Sequence, residues 1–337
     1  MATCLNKPEL PFGGMNMIFA GDFAQLPPVI GGENSALYSP VNVVILRQNM
    51  RQKGQSENDI KLHKALANMQ YKACTADDIT LLTSRVCGAS ADSPNINEKP
   101  FRNVSIITGL NVHKDEFNRL GTLRFAQETN QELVHFYSED SISEVSSVAH
   151  CKQVQRNKST SLTPQIQIEL WNSPPSTNNK HIPGLSVMIH LNSATELEIT
   201  KGQEGYVYSW EESTGSRTSP PEQIHIPGLP VNVVPLLRTS SAISCMLHDD
   251  TKININRSQV EIMPNFAMTD YCSQGKTQIQ NPVDLNNCTS HQSYYTVISH
   301  SASYDGTLIL PDYTDHNRVA FDPKKIQGRS VTKHNIW

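Results

Sequence analysis

The sequence predicts an α/β fold in which a parallel sheet is accompanied by a smaller all-β module. Two observations predict the sheet: short apolar runs end in polar residues, and a β-type run at 104–107 leads directly into a helical pattern through Asn111 to Leu120. A third observation predicts the module, because short β-type runs separated by Gly and Pro follow one another between 186 and 263. The 337 residues are enough to build this organisation.

Two apolar runs near the amino terminus predict buried strands. The first, at 16–20, leads into Gly21-Asp22, which places a carboxylate at the carboxyl end of its strand. The second, at 41–46, is followed by the polar segment 47–51. Two strands this close together, each ending in polar residues, indicate the last part of a parallel sheet.

Helical spacing begins after these strands. Ser56 is expected to cap a helix whose third position is Asp59, and Thr75 to cap a second helix with Asp78 near its positive end. The third helix, which follows the strand at 104–107, is predicted to end at Gly121.

The carboxyl-terminal half is predicted to be β-rich. Short strands are expected at 186–191, 205–209, 223–226, 231–237 and 260–263, and they predict an all-β module over about 195–262. The last third returns to α/β character, with strands predicted near Val283, at 294–298 and at 307–310.

Composition and charge exclude several classes of protein. The chain has 28 Lys+Arg against 32 Asp+Glu, a formal net charge of −4, which excludes a basic nucleic-acid tail protein. It has no run of 18 apolar residues and no apolar signal core, so an intracellular, soluble protein without a membrane partner is expected. The seven cysteines are scattered and never spaced C-x-x-C, which predicts reduced thiols and no metal site.

The strongest local signal is the segment 21–29, Gly-Asp-Phe-Ala-Gln-Leu-Pro-Pro-Val, which follows an apolar strand. Asp22 and Gln25 lie three residues apart at the carboxyl edge of that strand, where such side chains can sense a phosphate. By spacing alone, a structural turn explains the segment equally well.

This segment resembles motif III of the superfamily-one DNA helicases of the Pif1-like group, which includes helicases carried by Helitron transposons. Further segments resemble motifs of that group in the expected order, and they are 46–51 (motif IV), 108–118, 135–141, 184–205, 269–277 (motif V) and 297–303 (motif VI). Each match alone is weak, whereas their order along the chain identifies the family.

The resemblance implies a RecA-like fold of the P-loop NTPase type, divided into three parts. Residues 1–55 would be the remnant of a first motor domain, and 56–194 together with 263–337 would form the second. Residues 195–262 would be an inserted SH3-like module, in agreement with the β-rich region predicted from the residues themselves.

The resemblance also implies a function. Members hydrolyse ATP with Mg²⁺ between two RecA-like domains and move 5′ to 3′ along single-stranded DNA, with roles in DNA repair and recombination. A functional member with this sequence is expected to be nuclear. Gln25 would sense the γ-phosphate, Arg51 would be an arginine finger and His300 would occupy a second finger position. The implied nucleotide-binding residues are Asp22, Gln25, Arg51, Gln274 and Gly275, and the implied DNA-binding residues are Thr269, Ser273, Gln274 and Thr277.

The sequence departs from the family pattern at points that bear on activity. His300 replaces the arginine of motif VI and Cys272 the usual lysine of motif V, so two cations are absent. Gly275-Lys276-Thr277 is not predicted to be a P-loop, because Asp270 stands where that motif needs glycine.

The 337 residues contain no Walker A or Walker B element, and phosphoryl transfer needs both. We therefore expect no ATP hydrolysis by this chain alone, as a fragment of a helicase. The alternatives are a non-catalytic DNA- or protein-binding remnant of a transposon-derived helicase, and a decayed product without function.

Overall fold

The computed structural model describes residues 14, 25–26, 49–90, 93–136, 139–142, 179–181, 183–192, 195, 199–211, 215–218, 228–246, 252–311 and 323–327. The helices are α1 (Glu57–Gln70), α2 (Ala76–Thr83), α3 (Asn111–Thr129), α4 (Asp270–Ser273), α5 (His291–Ser299) and α6 (Pro323–Ile326). The strands are β1 (Ile106–Thr108), β2 (Val134–Phe136), β3 (Glu139–Ile142), β4 (Asn179–His181), β5 (Ser186–Ile189), β6 (Glu204–Glu211), β7 (Gly215–Thr218), β8 (Val234–Pro235), β9 (Thr239–Met246), β10 (Lys252–Gln259), β11 (Ile262–Pro264), β12 (Ala267–Thr269), β13 (Asn281–Asp284) and β14 (Thr307–Ile309). None of the described helices is both long and apolar enough to cross a membrane. Asp22 and the predicted strands at 16–20, 41–46 and 223–226 lie outside the described residues.

A parallel sheet with the strand order β12–β1–β13–β14 forms the centre of the α/β part. Ile107 of β1 pairs with Met268 on one side and Val283 on the other, and all three side chains are buried. Helix α3 contacts β1 and β12, and α5 contacts β13, so the sheet is covered as a buried parallel sheet requires. The predicted α/β class is confirmed, and β1, β13 and β14 occupy regions where strands were predicted.

The amino-terminal ends of α1 and α2 follow the sequence prediction. Ser56 Oγ accepts a hydrogen bond from the backbone N–H of Asp59 at 3.1 Å. Thr75 and Asp78 form a reciprocal capping box, in which each side chain accepts from the other residue's backbone N–H. These contacts satisfy N–H groups that the first turn of a helix leaves unpaired.

Helix α3 corrects the prediction that Gly121 ends it. The helix continues to Thr129 and ends at Asn130, whose φ of 52° is left-handed. Gly121 is buried in the middle of the helix, where a Cβ would lie 2.4 Å from Cγ of Phe266. The glycine is therefore needed for close packing between α3 and the residue that precedes β12, which its sequence position alone does not show.

The segment 294–298 corrects a second prediction, because it is part of α5 and not a strand. Its Tyr-Tyr-Thr-Val-Ile composition favours β structure. However, Ser290 Oγ accepts from the backbone N–H of Ser293 and caps a helix there, and four of the five residues are buried. The cap and the packing of α5 thus outweigh the local preference for strand.

The remaining described strands pair antiparallel, in the orders β11–β5–β6–β7–β8, β3–β10–β9 and β2–β4. The five-stranded sheet buries an apolar cluster that includes Leu185, Val187 and Val207. Neither β9 nor β10 was predicted, because their residues are mostly polar, although Ile253 and Ile255 alternate with polar residues in β10. Since β6 pairs with β5, which precedes residue 195, the boundaries of the predicted module at 195–262 stay a prediction.

Replacement of Gly121 by Ala tests the contact between α3 and Phe266. Alanine is the better helix former by about 1 kcal/mol, but here its methyl group would meet the base of the Phe266 side chain. We expect Gly121→Ala to destabilise the fold by about 1–3 kcal/mol, measured by urea unfolding. Gln127→Ala, at an exposed position of the same helix, should be close to neutral. A higher unfolding midpoint for Gly121→Ala would contradict this account.

Candidate functional site

The side chain of Arg51 joins three segments that are far apart in the sequence. Its Nη1 donates to the carbonyl of Ser299 at 2.8 Å, and its Nε donates to Oγ1 of Thr277 at 3.3 Å. Asn49 stabilises a turn of the backbone at Arg51, because its Oδ1 accepts hydrogen bonds from the backbone N–H groups of Arg51 and Gln52. The segments that resemble motifs IV, V and VI therefore meet at one guanidinium.

Gln52 belongs to the same cluster and was not predicted from the sequence. Its Nε2 donates to the carbonyls of Ser299 and Ser301, at 3.1 and 2.6 Å. Its Oε1 accepts from Nδ2 of Asn49 at 2.5 Å. Nothing in the spacing of the sequence singles out this glutamine, apart from its position beside Arg51.

The side chains of Thr269 and Ser273 form hydrogen bonds with the backbone of helix α4. Thr269 Oγ1 accepts from the backbone N–H of Cys272, and Ser273 Oγ donates to the carbonyl of Asp270 at 2.7 Å. Both side chains are buried, whereas Thr277 is exposed and Gln274 partly exposed. Of the four residues implied to bind DNA, Gln274 and Thr277 are thus the two whose side chains reach solvent.

Gln274 also lies near the segment that resembles motif III. Its Nε2 donates to the carbonyl of Leu26 at 3.5 Å, so it approaches the residue next to Gln25. Gln25 itself is partly buried. The following residue, Gly275, has a φ of +82°, a left-handed conformation that glycine adopts without strain. The roles of Gln25, Gln274 and Gly275 toward a nucleotide stay predictions.

His300 is fully buried between the segments that resemble motifs V and VI. Its Nδ1 donates to the carbonyl of Lys276 at 2.9 Å, while Nε2 has no hydrogen-bond partner in the described part of the chain. Burial lowers the pKa of His300 to about 4, and the positive charges of Arg51 and Lys276 act in the same direction. The imidazole is therefore neutral at pH 7, so it supplies no cation at this position.

Asp270 links α4 to α5. Its Oδ2 accepts from Oγ of Ser293 at 2.7 Å, and burial raises the pKa of this carboxyl above its usual range. Together with the bond from His300 to Lys276, this contact fixes α5 against α4 and the loop after it.

Lys276 does not belong to a phosphate-binding loop. Its Nζ pairs with Oε1 of Glu204 on β6 at 2.5 Å, and a strand, β13, follows the loop where a P-loop would continue into a helix. The position of Asp270 had predicted this result. The lysine instead connects the loop after α4 to the five-stranded sheet.

Comparisons with known proteins agree with the predicted resemblance. Residues 2–72 match the family model described as PIF1-like helicase. No curated protein matches the chain. The similarity to Pif1-like helicases that the motifs predicted is confirmed.

Three solved structures show the same fold. The Pif1 helicase from Candida albicans is 19% identical, with 96% of this chain and 73% of that one covered and a TM-score of 0.59. Bacteroides Pif1 bound to ssDNA is 16% identical, with 97% and 66% covered and a TM-score of 0.58. Pif1 from Bacteroides in complex with ADP-AlF3 and ssDNA is 16% identical, with 94% and 65% covered and a TM-score of 0.59. The chain thus has the RecA-like fold of these helicases and spans about two thirds of the Bacteroides chains.

The buried His300 predicts a pH dependence of stability. The unfolded chain takes up a proton on His300 below about pH 6.5, whereas the folded chain does so only near pH 4. Stability is therefore lost as the pH falls through this window, by roughly 3 kcal/mol in all. His300→Asn should flatten that loss in urea titrations at pH 4 to 7, while Gln127→Ala, at an exposed position of α3 that carries no titratable group, should leave it unchanged. Equal pH profiles for the His300→Asn variant and the unaltered protein would refute the assignment.

Proposed function

We propose that this chain is the carboxyl-terminal portion of a Pif1-like ATP-dependent DNA helicase, which moves 5′ to 3′ along single-stranded DNA. The observation that carries the proposal is the convergence on Arg51 of the segments resembling motifs IV, V and VI. In a two-domain motor, such a cluster would join the proposed nucleotide cleft to the proposed DNA path.

Single-stranded DNA is the proposed partner. Gln274 and Thr277 present an amide and a hydroxyl to solvent beside the left-handed turn at Gly275. Both groups can donate a hydrogen bond to a phosphate oxygen, a contact that holds a strand without reading its sequence. The related Bacteroides helicase was solved bound to ssDNA.

The proposed role of Arg51 is that of an arginine finger toward the γ-phosphate of ATP. A guanidinium keeps its charge at any physiological pH, and two of its nitrogen atoms are already fixed by Thr277 and Ser299. Gln25 would act as the γ-phosphate sensor. In this family ATP with Mg²⁺ supplies the free energy for movement, and its phosphates are held by Walker residues that these 337 residues lack.

A second candidate function is a DNA-binding protein without motor activity. Two observations favour it: His300 is neutral where the family has arginine, and Cys272 stands exposed where the family has lysine. The two candidates share the contact to single-stranded DNA and differ in ATP turnover. Repair, recombination and a nuclear location belong to the helicase proposal as its biological setting.

The first test is DNA-stimulated ATP hydrolysis by the purified 337-residue chain. Because the phosphate cradle is absent from these residues, we expect phosphate release to stay at background. The Arg51→Ala variant measures that background, since it would retain any contaminating ATPase. Turnover that Arg51→Ala abolishes would show that this chain alone hydrolyses ATP, and would exclude the non-catalytic remnant.

The second test is binding of a fluorescently labelled oligothymidylate, measured by anisotropy at several salt concentrations. We expect affinity to fall as salt rises, because phosphate contacts release counterions. Gln274→Ala should weaken binding by about tenfold, the loss of one hydrogen bond to a charged group. Gln127→Ala, at an exposed position on α3, is the matched control and should bind like the unaltered chain. If Gln274→Ala binds the oligothymidylate as tightly as Gln127→Ala does, Gln274 does not contact the DNA.

A further inference from the structure

Strand β6 presents two tyrosine rings to solvent on one face of the five-stranded sheet. Gly205 and Val207 are buried, whereas Tyr206 and Tyr208 are 59% and 50% exposed. Alternate residues of a strand share a face, so Glu204, Tyr206 and Tyr208 form a single row. We call these three residues the β6 row.

The neighbouring strands leave the two rings uncovered. Tyr206 is paired across the sheet with Ser186, whose side chain is small. Tyr208 lies where the register between β6 and β7 shifts, between the pairs Val207–Thr218 and Trp210–Ser216. In this bulge Tyr208 and Ser209 together oppose a single residue of β7, Arg217. Both rings are thus accessible from the solvent side.

The β6 row is continuous with the loop after α4. Glu204, the first residue of the row, pairs with Lys276, which lies between Gly275 and Thr277. A strand of DNA that contacts Gln274 and Thr277 therefore reaches Tyr206 and then Tyr208 if it continues along β6. Lys201, exposed in the turn that enters β6, adds a positive charge at this end of the row.

We propose that Tyr206 and Tyr208 are a stacking platform for bases of single-stranded DNA that has passed the loop after α4. This inference rests on the proposed DNA-binding function and extends its path onto β6. The rings are two residues apart, about 6.8 Å along the strand, so each ring takes a separate base. Stacking on an aromatic ring needs no particular base, because every base has a π-face, which suits a protein that tracks along a strand.

The surroundings of the β6 row favour nucleic acid over a protein partner. The described groups beside the β6 row are polar or charged: Ser186 lies opposite Tyr206, and Glu204 pairs with Lys276 at the start of the row. A protein-docking surface is expected to have a contiguous apolar centre, whereas isolated rings beside cations are typical of single-strand binding.

The test compares the full chain with two double variants on oligothymidylates of two lengths. The shorter, of about six nucleotides, is meant to span only the loop after α4, and the longer, of about twenty, also to reach β6. Tyr206→Ala with Tyr208→Ala should weaken binding of the longer strand by about tenfold per ring and leave the shorter unaffected. Tyr206→Phe with Tyr208→Phe keeps both π-faces and should bind both lengths like the unaltered chain.

Controls separate the possible failures. Leu120→Ala removes an exposed apolar side chain from α3 and should change neither affinity. Equal binding of the longer strand by the alanine variant and the unaltered chain would overturn the platform while leaving the proposed function intact. Absence of any DNA binding by the unaltered chain would overturn both. Phenylalanine variants as weak as the alanine ones would assign the contact to the hydroxyls and overturn stacking. If the double alanine variant has an altered urea midpoint, Tyr208→Ala alone is used in its place. This single variant should lose about half of the binding free energy that the double variant is expected to lose.

Discussion

The candidate site depends on one buried polar contact surface, where α5 meets α4 and the loop that follows it. Ser293 reaches Asp270 near the start of α5, and His300 reaches the carbonyl of Lys276 just past its end. The two residues are seven positions apart, about two helical turns, so they project from the same side of the helix. An apolar surface would bury as much area, but these hydrogen bonds also fix the register, since sliding the helix would unpair buried groups.

This surface explains how the chain accommodates a histidine at position 300. Arg51 and Lys276 both place positive charge near the ring, and water is excluded from it. A neutral imidazole needs no counter-charge there, and it still donates a hydrogen bond to the carbonyl of Lys276 in the loop. The segment 297–303 thus stays packed although it has one cation fewer than the motif VI pattern that it resembles. The observed contacts of His300 serve packing, and a role of this position in catalysis stays a prediction.

The features predicted correctly from the sequence are those that nearby residues determine. Ser56 and Thr75 cap helices through contacts three residues away, and apolar runs mark β1, β13 and β14. The incorrect predictions concern positions whose structure is determined by contacts with residues far away in the sequence. Gly121 serves packing against Phe266, and the β-prone run at 294–298 is held as a helix by its cap and its burial.

The same distinction applies to the site. Arg51, Thr277 and the segment at 297–303 were named from ordered motifs, and the structure places them together. Gln52 was missed because its partners, the carbonyls of Ser299 and Ser301, are almost 250 residues away and leave no trace in local spacing. Every residue has a backbone carbonyl, so a sequence motif does not show which carbonyl accepts a hydrogen bond.

The carbonyl of Ser299 has a further consequence, because it makes the contacts of Arg51 and Gln52 dependent on helix α5. A helix leaves its last carbonyls unpaired, and at α5 the donors are Arg51 and Gln52, from 248 and 247 residues upstream. That acceptor faces Arg51 and Gln52 only when α5 has formed, so the contact requires closing a loop of almost 250 residues. The link between the three motif segments therefore depends on the helical state of the last turn of α5, and it is lost if that turn unwinds.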